Sequence, residues 1–528
     1  MLGRWTIGTG IDLTARLGGK GAGIFRMQQL GLPVPPAFVI GVSACSRYRR
    51  RGRDFLVNDL LPEVKQRMSE LETASNKRFG DPAHPLLVSV RSGAPVSMPG
   101  MMDTVLNVGI NAAVRKGIET ATGKPSFAWD CHRRLLEMLG ETVLGISKSR
   151  FAALRGDSGG DDWQRVVLRY EEEITRVASH SAYPLVVTDV EQQLLACVEA
   201  VLESWNNERA IRYRKMFKIP DDLGTAVCVQ SMVFGNLDQN SGTGVVFTRD
   251  PSSGTHELTG EYLVGYQGEE VVAGEAERIS KPIFMLGHEF PAIYRELAMI
   301  GHFLEFVARD VQDIEFTFER GKLYILQSRS AKCTPLASIR FLSEAVREGL
   351  MSQESALERA ALIPRSALEA FLSQEVVKQD DASWIFARGR GVTPRAARGQ
   401  LVLSPAEAVA QAAQGHHVVM ARQMTSPDDI AGIETAVAIF TARGGPLSHA
   451  AIICRDMGKP CVVGTGARID LQSGTVVGED ERVMRRGDIV TVDGSSGLIW
   501  GGDTKIETRE LDLDLVGWLQ RILNRSLV

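Results

Sequence analysis

The chain has 528 residues, of which 44% are apolar, 23% charged and 6% aromatic, and this length predicts about three or four domains with sizeable cores. Sixty Lys and Arg against 64 Asp and Glu leave a formal net charge of −4, which favours neither a nucleic-acid nor a membrane-surface partner. The seven cysteines form no CxxC pair, so we expect neither a disulfide framework nor a zinc site. Neither a signal peptide nor an apolar run of about 18 residues is found, and we therefore expect a cytoplasmic protein.

The N-terminal part of the sequence predicts one α/β domain that is interrupted by a helical insertion. Strand-like runs occur before residue 110 and return between residues 225 and 327, where β-branched and aromatic side chains are bounded by Gly, Asn and Asp. Over residues 111–217, apolar side chains recur every three or four positions, as in amphipathic helices. We therefore expect an α+β or α/β multidomain fold whose first domain spans residues 1–333.

The remaining sequence predicts a linker, a second compact domain and a terminal helix. Residues 334–383 are largely helical in pattern, and Pro364 is expected to break or kink the helix. Because this segment lies between two glycine-rich regions, we expect it to be a hinge. Short strand-like runs separated by turns predict a β/α domain over residues 384–503, and residues 504–528 predict one charged amphipathic helix.

A glycine-rich segment near the N-terminus contains a lysine. Gly18, Gly19 and Gly21 flank Lys20 just before a helical pattern, where backbone N–H groups and an ammonium group can approach phosphate oxygens. The spacing is not that of a Walker A loop. Taken alone, these residues are better explained as a turn.

A second flexible segment follows a strand-like run that ends near Arg91. The loop after it contains Gly100 and Thr104. An arginine at a strand end beside such a loop suits bidentate contact with a phosphate, and a surface ion pair explains it equally well.

Polar side chains alternate along two strand-like runs that meet at a turn around Gly321. Asp313 and Glu315 share one face of the first run, and Gln327 and Arg329 share one face of the second. Carboxylate and amide oxygens suit Mg²⁺ bound to phosphates, and the arginine suits phosphate charge. For an isolated hairpin, a solvent-facing polar side would explain the same pattern.

The most specific signal surrounds His449. A buried-type strand runs into Gly444 and Gly445, and Ser448 and His449 then open a short helix that ends near Gly458. A helix N-terminus favours a bound phosphoryl group and disfavours a protonated imidazole, so the ring is expected to be neutral and nucleophilic. A lone histidine usually packs or caps, but the double glycine gives close backbone access to the ring and favours a functional role.

In chain order, these segments resemble the pyruvate, phosphate dikinase family, which pairs an ATP-grasp domain with a swivelling phosphohistidine domain. The resemblance extends over nearly the whole chain, and the combination of segments is far more specific than any one of them. The matching segments are GGKGAGIFRMQQLGLPVPPAF, SVRSGAPVSMPGMMDTVLNVG, SWNNERAIRYRKMFKIPDDLGTAVCVQSMVFGN, GTGVVFTRDPSSG, GEYLVGYQGEEVVAG, DIEFTFERGKLYILQSR and TARGGPLSHAAIICRDMGKPCVVG.

The resemblance implies a role for each matching residue. Of these, Glu315 and Gln327 would hold Mg²⁺ with Asp313 in support, and Arg329 would also stabilise charge on the transferring group. His449 would carry the phosphoryl group on its tele nitrogen. The residues placed around ATP are Lys20, Arg91, Gly100, Thr104, Gln230, Glu315, Gln327 and Arg329.

The resemblance also implies a reaction, in which the β-phosphoryl group of ATP is transferred to His449 with release of AMP. Inorganic phosphate or water would take the γ-phosphoryl group. Because the dikinases continue into a pyruvate-binding and phosphoenolpyruvate-binding barrel that is not found here, we expect the acceptor to be pyruvate on a separate barrel chain. Leu447 replaces a threonine that is the family's usual regulatory target, so that regulation is not expected.

Two other functions remain open from the sequence. The chain could phosphorylate another small molecule directly, as the similar rifampicin phosphotransferases do, although no acceptor-binding insertion is found. It could also be a non-catalytic, nucleotide-binding regulatory protein, although such a protein has no need of a carrier histidine. The sequence does not decide the oligomeric state, and a homodimer is one assembly open to it.

Overall fold

The structure is a computed structural model that describes residues 12–98, 100–156, 162–179, 187–267, 280–363, 375–378, 384–393, 395–445, 448–502, 504–508 and 517. These residues form two compact units. The first contains the described residues up to Leu237 together with Tyr324–Ser328, and the second contains those from Asp238 onward without Tyr324–Ser328. The domain borders predicted from the sequence at residues 333, 383 and 503 stay predictions.

The first unit contains an antiparallel sheet with the strand order β1-β6-β4-β5. All six residues of its β6 strand are buried, as their run of apolar side chains indicates. A separate short parallel pair joins β2 to β3. The strands are β1 Ala37–Ile40, β2 Arg78–Phe79, β3 Pro85–Leu86, β4 Val88–Gly93, β5 Thr104–Val108 and β6 Ala226–Ser231.

Helices lie before β1, between β1 and β2, and in the insertion between β5 and β6, where they confirm the helical pattern predicted over residues 111–217. Two of these helices begin at residues that are preferred as N-caps. The side chains of Asn111 and Ser147 each accept a hydrogen bond from a backbone N–H in the first turn of the helix that follows. The helices are Leu13–Gln29, Ser43–Arg51, Arg53–Phe55, Leu61–Ser75, Ala112–Thr122, Pro125–Leu144, Lys148–Arg155, Trp163–Ala178, Val190–Glu203 and Glu208–Met216.

The second unit begins with a lobe that we call the β7–β10 lobe, the described part of residues 238–323. Its strands pair in the order β10-β7-β8-β9, all antiparallel, and helices Ile283–Glu289 and Pro291–Ala308 pack on them. The ends of β11 belong to this unit and its central five residues to the first. The strands are β7 Gly242–Phe247, β8 Thr259–Val264, β9 Lys281–Pro282, β10 Gln312–Glu319 and β11 Lys322–Ser330.

The predicted linker is only partly helical. Helices Pro335–Arg347 and Gln353–Ala360 are separated near Gly349, whose φ of 74° ends the first of them, and Pro364 lies outside the described residues. The prediction of a helical segment up to residue 383 is wrong at Glu375–Lys378, which forms strand β12. Its sequence EVVK contains adjacent valines, and β-branched residues favour an extended backbone.

The strand that pairs with β12 lies in the segment that was predicted to be the C-terminal helix, so that prediction is also wrong in part. Residues 504–528 were expected to form one helix, but Lys505–Thr508 is strand β24, antiparallel to β12. This pairing satisfies backbone groups of both segments, which overrides the local helical pattern. Of the rest of the predicted helix, only Thr504 and Gly517 are described.

The predicted phosphohistidine domain contains a mixed sheet with the order β13-β23-β22-β15-β16-β17-β18-β14 and a smaller sheet of β19 to β21. Helices Pro405–Ala413, Ile430–Thr435 and His449–Met457 accompany them, and Leu401, Phe440 and Val492 lie in its core. The strands are β13 Trp384–Arg388, β14 Arg390–Gly391, β15 Ala396–Val402, β16 Val418–Arg422, β17 Ala438–Thr441, β18 Cys461–Val463, β19 Arg468–Asp470, β20 Thr475–Val477, β21 Val483–Arg485, β22 Ile489–Asp493 and β23 Leu498–Gly501.

Among the helices of the described ranges, none combines the length and the apolar character that crossing a bilayer requires.

Candidate active site

The glycine-rich loop at Lys20 folds against the end of strand β4 in the first unit. Gly18 has φ 69° and interrupts the helix Leu13–Gln29, and a Cβ on it would lie 1.6 Å from the carbonyl oxygen of Gly93. The backbone N–H of Gly19 donates to the carbonyl of Ala94 at 2.9 Å. Glycine at position 18 is therefore required, and the loop presents Lys20 at the start of a helical segment, as the sequence predicts.

The positive charges of Lys20 and Arg91 both affect the same residue of strand β6, Cys228. Arg91 on β4 has Thr104 as its cross-strand partner on one side and Cys228 on the other. Burial raises the pKa of the Cys228 thiol, while the positive charges of Lys20 and Arg91 both lower it. The structure thus brings the two predicted phosphate-binding cations together around one point of β6.

The loop between β4 and β5 is anchored at its end. Gly100 is exposed with φ 71°, and Thr104 is the first residue of β5. Next to Thr104, the carboxylate of Asp103 accepts hydrogen bonds from Asn207 at 3.0 Å and from Arg209. Asn207 and Arg209 were not predicted as site residues, because nothing in their spacing relates them to this loop.

Two glutamines of the first unit were predicted as site residues. Gln230 is buried on β6 and its amide donates to the carbonyl of Pro35 at 3.3 Å, so this side chain holds the chain just before β1. The side-chain oxygen of Gln327 is buried and has no hydrogen-bond partner in the described part of the chain. An unsatisfied buried oxygen of this kind is suited to an added ligand.

The second unit contains the paired carboxylate and guanidinium that the hairpin pattern predicts. The turn before β11 has positive φ at both Arg320 and Gly321, which is the geometry of a two-residue hairpin turn. Asp313 Oδ2 accepts from Arg329 Nε at 2.8 Å, and Glu315 lies two residues further along β10. Burial raises the pKa of Asp313, Arg329 lowers it and Glu315 raises it.

Oxygen donors at these positions fit Mg²⁺. Asp313 Oδ1 is buried without a hydrogen-bond partner among the described residues. No group of three or more His, Cys, Asp and Glu side chains that could hold a metal occurs within the ranges that the structure describes, so a site at these two carboxylates needs substrate oxygens as well. Mg²⁺ commonly binds to one or two carboxylates plus phosphate oxygens, which agrees with this donor set.

His449 is the first residue of helix His449–Met457, and the Ser448 side chain caps that helix by accepting from the N–H of Ala451. The ring Nδ1 lies 3.3 Å from the hydroxyl oxygen of Thr425, whereas Nε2 is buried and has no hydrogen-bond partner in the described ranges. When Nδ1–H donates to Thr425, the lone pair stays on Nε2, the tele nitrogen. Thr425 was not predicted, since the loop after β16 carries no motif that relates it to His449.

The ring of His449 is held in its neutral form. Burial lowers its pKa to about 4, although the nearby carboxylates of Asp429 and Asp428 act in the opposite direction. Asp429 is itself fixed by Arg422 at 3.1 Å and by the backbone N–H of Ser426 at 2.7 Å. The neutral ring with an available Nε2 can act as a nucleophile.

Within the second unit, the phosphohistidine domain rests on the β7–β10 lobe. A Cβ on Gly445 would lie 1.9 Å from Glu261 Oε1 on β8, so any larger residue at position 445 requires the Glu261 side chain to move. On another part of the same surface, the Ser252 hydroxyl donates to the carbonyl of Val392 at 3.0 Å. We call these contacts the docking surface. Leu447, beside His449, lies outside the described residues.

The predicted site residues thus form groups within each unit. The first unit contains Lys20, Arg91, Gly100, Thr104, Gln230 and Gln327, and the second contains Asp313, Glu315, Arg329 and His449.

Two family models match the chain. Residues 53–280 match the pyruvate phosphate dikinase AMP/ATP-binding domain, and residues 414–497 match the mobile domain of PEP-utilising enzymes. The chain is 41% identical to pyruvate, phosphate dikinase of Rhizobium meliloti (strain 1021), covering 94% of this chain and 57% of the relative. It is 38% identical to the protein of the same name from Clostridium symbiosum, over 96% of this chain and 58% of that protein.

The chain therefore spans less than two thirds of the length of these relatives. The second match contains His449, and the first contains Arg91, Gly100, Thr104 and Gln230. The chain thus contains a region that matches the AMP/ATP-binding domain of pyruvate phosphate dikinase and a region that matches the mobile domain of PEP-utilising enzymes, and it is similar to pyruvate, phosphate dikinases over most of its own length.

Proposed function

We propose that the chain is an ATP-dependent phosphotransferase that transfers the β-phosphoryl group of ATP to Nε2 of His449 and releases AMP. The observation that carries this proposal is the state of the His449 ring. It is neutral, its Nδ1 faces Thr425, and its Nε2 has no hydrogen-bond partner in the described chain. The family resemblance of both domains supports the same assignment.

In the proposed step, Nε2 attacks the β-phosphorus and a P–N bond forms. The bond between that phosphorus and the oxygen shared with the α-phosphate breaks, and AMP leaves with that oxygen. The proton on Nδ1 stays there, hydrogen-bonded to Thr425. The γ-phosphoryl group is then transferred to inorganic phosphate, giving pyrophosphate, or to water, giving phosphate, and His449 keeps the β-phosphoryl group.

The chain's cations and oxygens have separate roles in this proposal. Lys20 and Arg91 bind phosphate oxygens, with the loop of Gly100 and Thr104 over them, and Gln230 lies on the adenine side. Arg329, oriented by Asp313, neutralises charge on the transferring group. Mg²⁺ bound by Glu315 and Gln327, with Asp313 in support, would neutralise phosphate charge. An acceptor then takes the phosphoryl group, and pyruvate bound to a separate barrel chain in the cytoplasm is the acceptor that we propose.

The proposal is tested with ATP that carries ³²P in the β position. Incubation with Mg²⁺ is expected to label the protein in an acid-labile, base-stable manner, and His449→Ala should abolish the label. His416→Ala is a matched control, because His416 is an exposed histidine of the same domain. Absence of label, or equal label in His449→Ala, would contradict the proposal. Chromatography of the products, as AMP with pyrophosphate or AMP with phosphate, identifies the γ-phosphoryl acceptor.

A further inference from the structure

Arg209 of the helical insertion binds the loop between β4 and β5 at two points. Its Nε donates to the carbonyl of Met101 at 3.1 Å, and its guanidinium also donates to the carboxylate of Asp103. A planar guanidinium offers several donors in a fixed geometry, so one side chain can hold a carbonyl and a carboxylate at the same time. Arg209 thereby fixes the part of the loop that runs from Gly100 to Thr104, which we call the 100–104 segment.

Asn207 contacts the same carboxylate at the expense of helix capping. It is the N-cap residue of helix Glu208–Met216, where an asparagine side chain usually accepts a hydrogen bond from a backbone N–H of the first turn. Within the described residues that capping bond is not made, and the side-chain amide instead donates to Asp103 at 3.0 Å. The Asn207 side chain therefore contributes to the position of the loop and not to the local stability of its own helix.

The segment that carries both side chains is itself fixed in the core of the first unit. Trp205 is fully buried, and its indole N–H donates to the carbonyl of Asp221 at 3.0 Å. Arg214 of the following helix donates to the carbonyl of Trp205 and to the carboxylate of Asp221. Because Asn207 and Arg209 belong to a fixed part of the chain, they can hold the 100–104 segment in one position.

The carboxylate of Asp103 is largely buried, with 17% of its side chain exposed. Burial raises the pKa of Asp103, whereas the charge of Arg209 and the hydrogen bond from Asn207 lower it. A buried carboxylate needs such partners to offset its lost hydration. The next residue, Thr104, is the cross-strand partner of Arg91, so these contacts lie one residue from the strand pair that carries a proposed phosphate-binding cation.

We propose that Asn207 and Arg209 are positioning residues that hold the 100–104 segment in its ATP-binding position before the nucleotide arrives. The inference rests on the proposed function only in placing the ATP phosphates at this loop. A segment that is already ordered loses little conformational freedom when ATP binds, whereas a segment released from these contacts must be ordered at the expense of affinity. Loss of the contacts should therefore weaken ATP binding.

The experiment measures binding of α,β-methylene ATP with Mg²⁺ to the full chain by isothermal titration calorimetry, since this analogue cannot release AMP. Arg209→Met is expected to raise the Kd about tenfold or more, because both contacts with the loop are lost. Arg209→Lys keeps the charge but offers a single point of contact, so its Kd should be intermediate. Lys215→Met, at an exposed cation of the same helix, is the matched control and should leave the Kd unchanged.

Asn207→Ser separates positioning from stability. Serine is as good an N-cap as asparagine, but its shorter side chain gives up the contact with Asp103. The variant is therefore expected to keep the melting temperature of the wild type while its Kd for the analogue rises about threefold to fivefold. Without nucleotide, hydrogen–deuterium exchange of the peptide that contains Met101 should be faster in Arg209→Met and in Asn207→Ser than in the wild type.

An unchanged Kd in Arg209→Met would overturn the proposal. A lower melting temperature of Asn207→Ser at a wild-type Kd would overturn it as well, because the asparagine would then be only structural. If Arg209→Met does not fold, Arg209→Lys and Asn207→Ser decide. A wild type that binds the analogue but takes no label at His449 contradicts the proposed phosphoryl transfer alone, and an unchanged Kd in Arg209→Met beside normal labelling of the wild type contradicts the positioning role alone.

Discussion

At the residue scale, the site depends on an imidazole that stays neutral. The His449 ring loses hydration on burial, and this outweighs the two nearby carboxylates that favour its protonated form. The hydroxyl of Thr425 lies within hydrogen-bond distance of Nδ1, and when Nδ1 carries the proton of the neutral ring the reactive lone pair is on Nε2. The position of His449 before a helix could be predicted from the sequence, but the partner on its other ring nitrogen could not, because it comes from a loop 24 residues earlier.

We expect His449 to make stability fall as the solution is acidified. Its pKa is about 4 in the folded protein against an ordinary value of 6.5, so between these pH values the unfolded chain binds more protons. Stability is then lost as pH falls through this window, by at most about 1.4 kcal/mol per pH unit for one group. Urea denaturation at pH 7.0 and 5.0 measures the loss, which should be about 1–2 kcal/mol smaller in His449→Gln.

His416→Gln is the control, since the exposed His416 should leave the acid-induced loss as it is in the wild type. A loss in His449→Gln equal to that of the wild type would show that the His449 ring is accessible to protons near its ordinary pKa.

At the scale of elements, regular patterns predicted the fold and isolated contacts did not. The β10–β11 hairpin follows from period-two alternation around Gly321, and the insertion follows from helical periodicity. Strands β12 and β24 are four residues each and lie more than 120 positions apart, so their pairing stabilises both but leaves no local pattern. Arg249 was likewise not predicted as a structural residue, although it pairs with three acidic residues that lie more than 50 positions after it.

The linker helix Pro335–Arg347 is fixed to the β7–β10 lobe through Arg249. This side chain is fully buried and contacts Glu305 at 2.8 Å, Glu344 at 2.5 Å and Glu348 at 2.8 Å. Glu344 belongs to the linker helix and Glu348 follows it directly. This helix is therefore held to the lobe and does not itself provide the hinge that the sequence predicts in the linker.

We expect Arg249→Met to destabilise the protein by about 3–5 kcal/mol, because it leaves the nearly fully buried Glu305 without its compensating charge. Thermal unfolding should show the lower stability, and limited proteolysis should cut near residue 349 sooner than in the wild type. Arg347→Gln is the matched control on the same helix, since Arg347 is 71% exposed and its contact with Glu344 is long at 3.9 Å. A wild-type melting temperature in Arg249→Met would contradict this role.

At the scale of the whole molecule, the proposed cycle requires the mobile domain to receive a phosphoryl group at one place and deliver it at another. The attacking and reacting atoms must approach to about 3–3.5 Å, so loading depends on a close fit of the domain to its lobe. The two parts approach closely at Gly445, because the side chain of Glu261 occupies the space that a Cβ at position 445 would need. Glu261 is also held in place by the hydroxyl of Ser280 at 2.7 Å.

Gly445→Val is therefore expected to lower the rate of His449 labelling by β-³²P ATP at least about tenfold, while the melting temperature of the mobile domain stays the same. Glu261→Ala alone should label nearly as fast as the wild type, and added to Gly445→Val it should restore most of the lost rate, since it removes the carboxylate that the valine meets. Rapid-quench labelling measures all three variants against the wild type. If Glu261→Ala fails to rescue Gly445→Val, the loss arises within the loop of His449, and the docking surface is not where loading takes place.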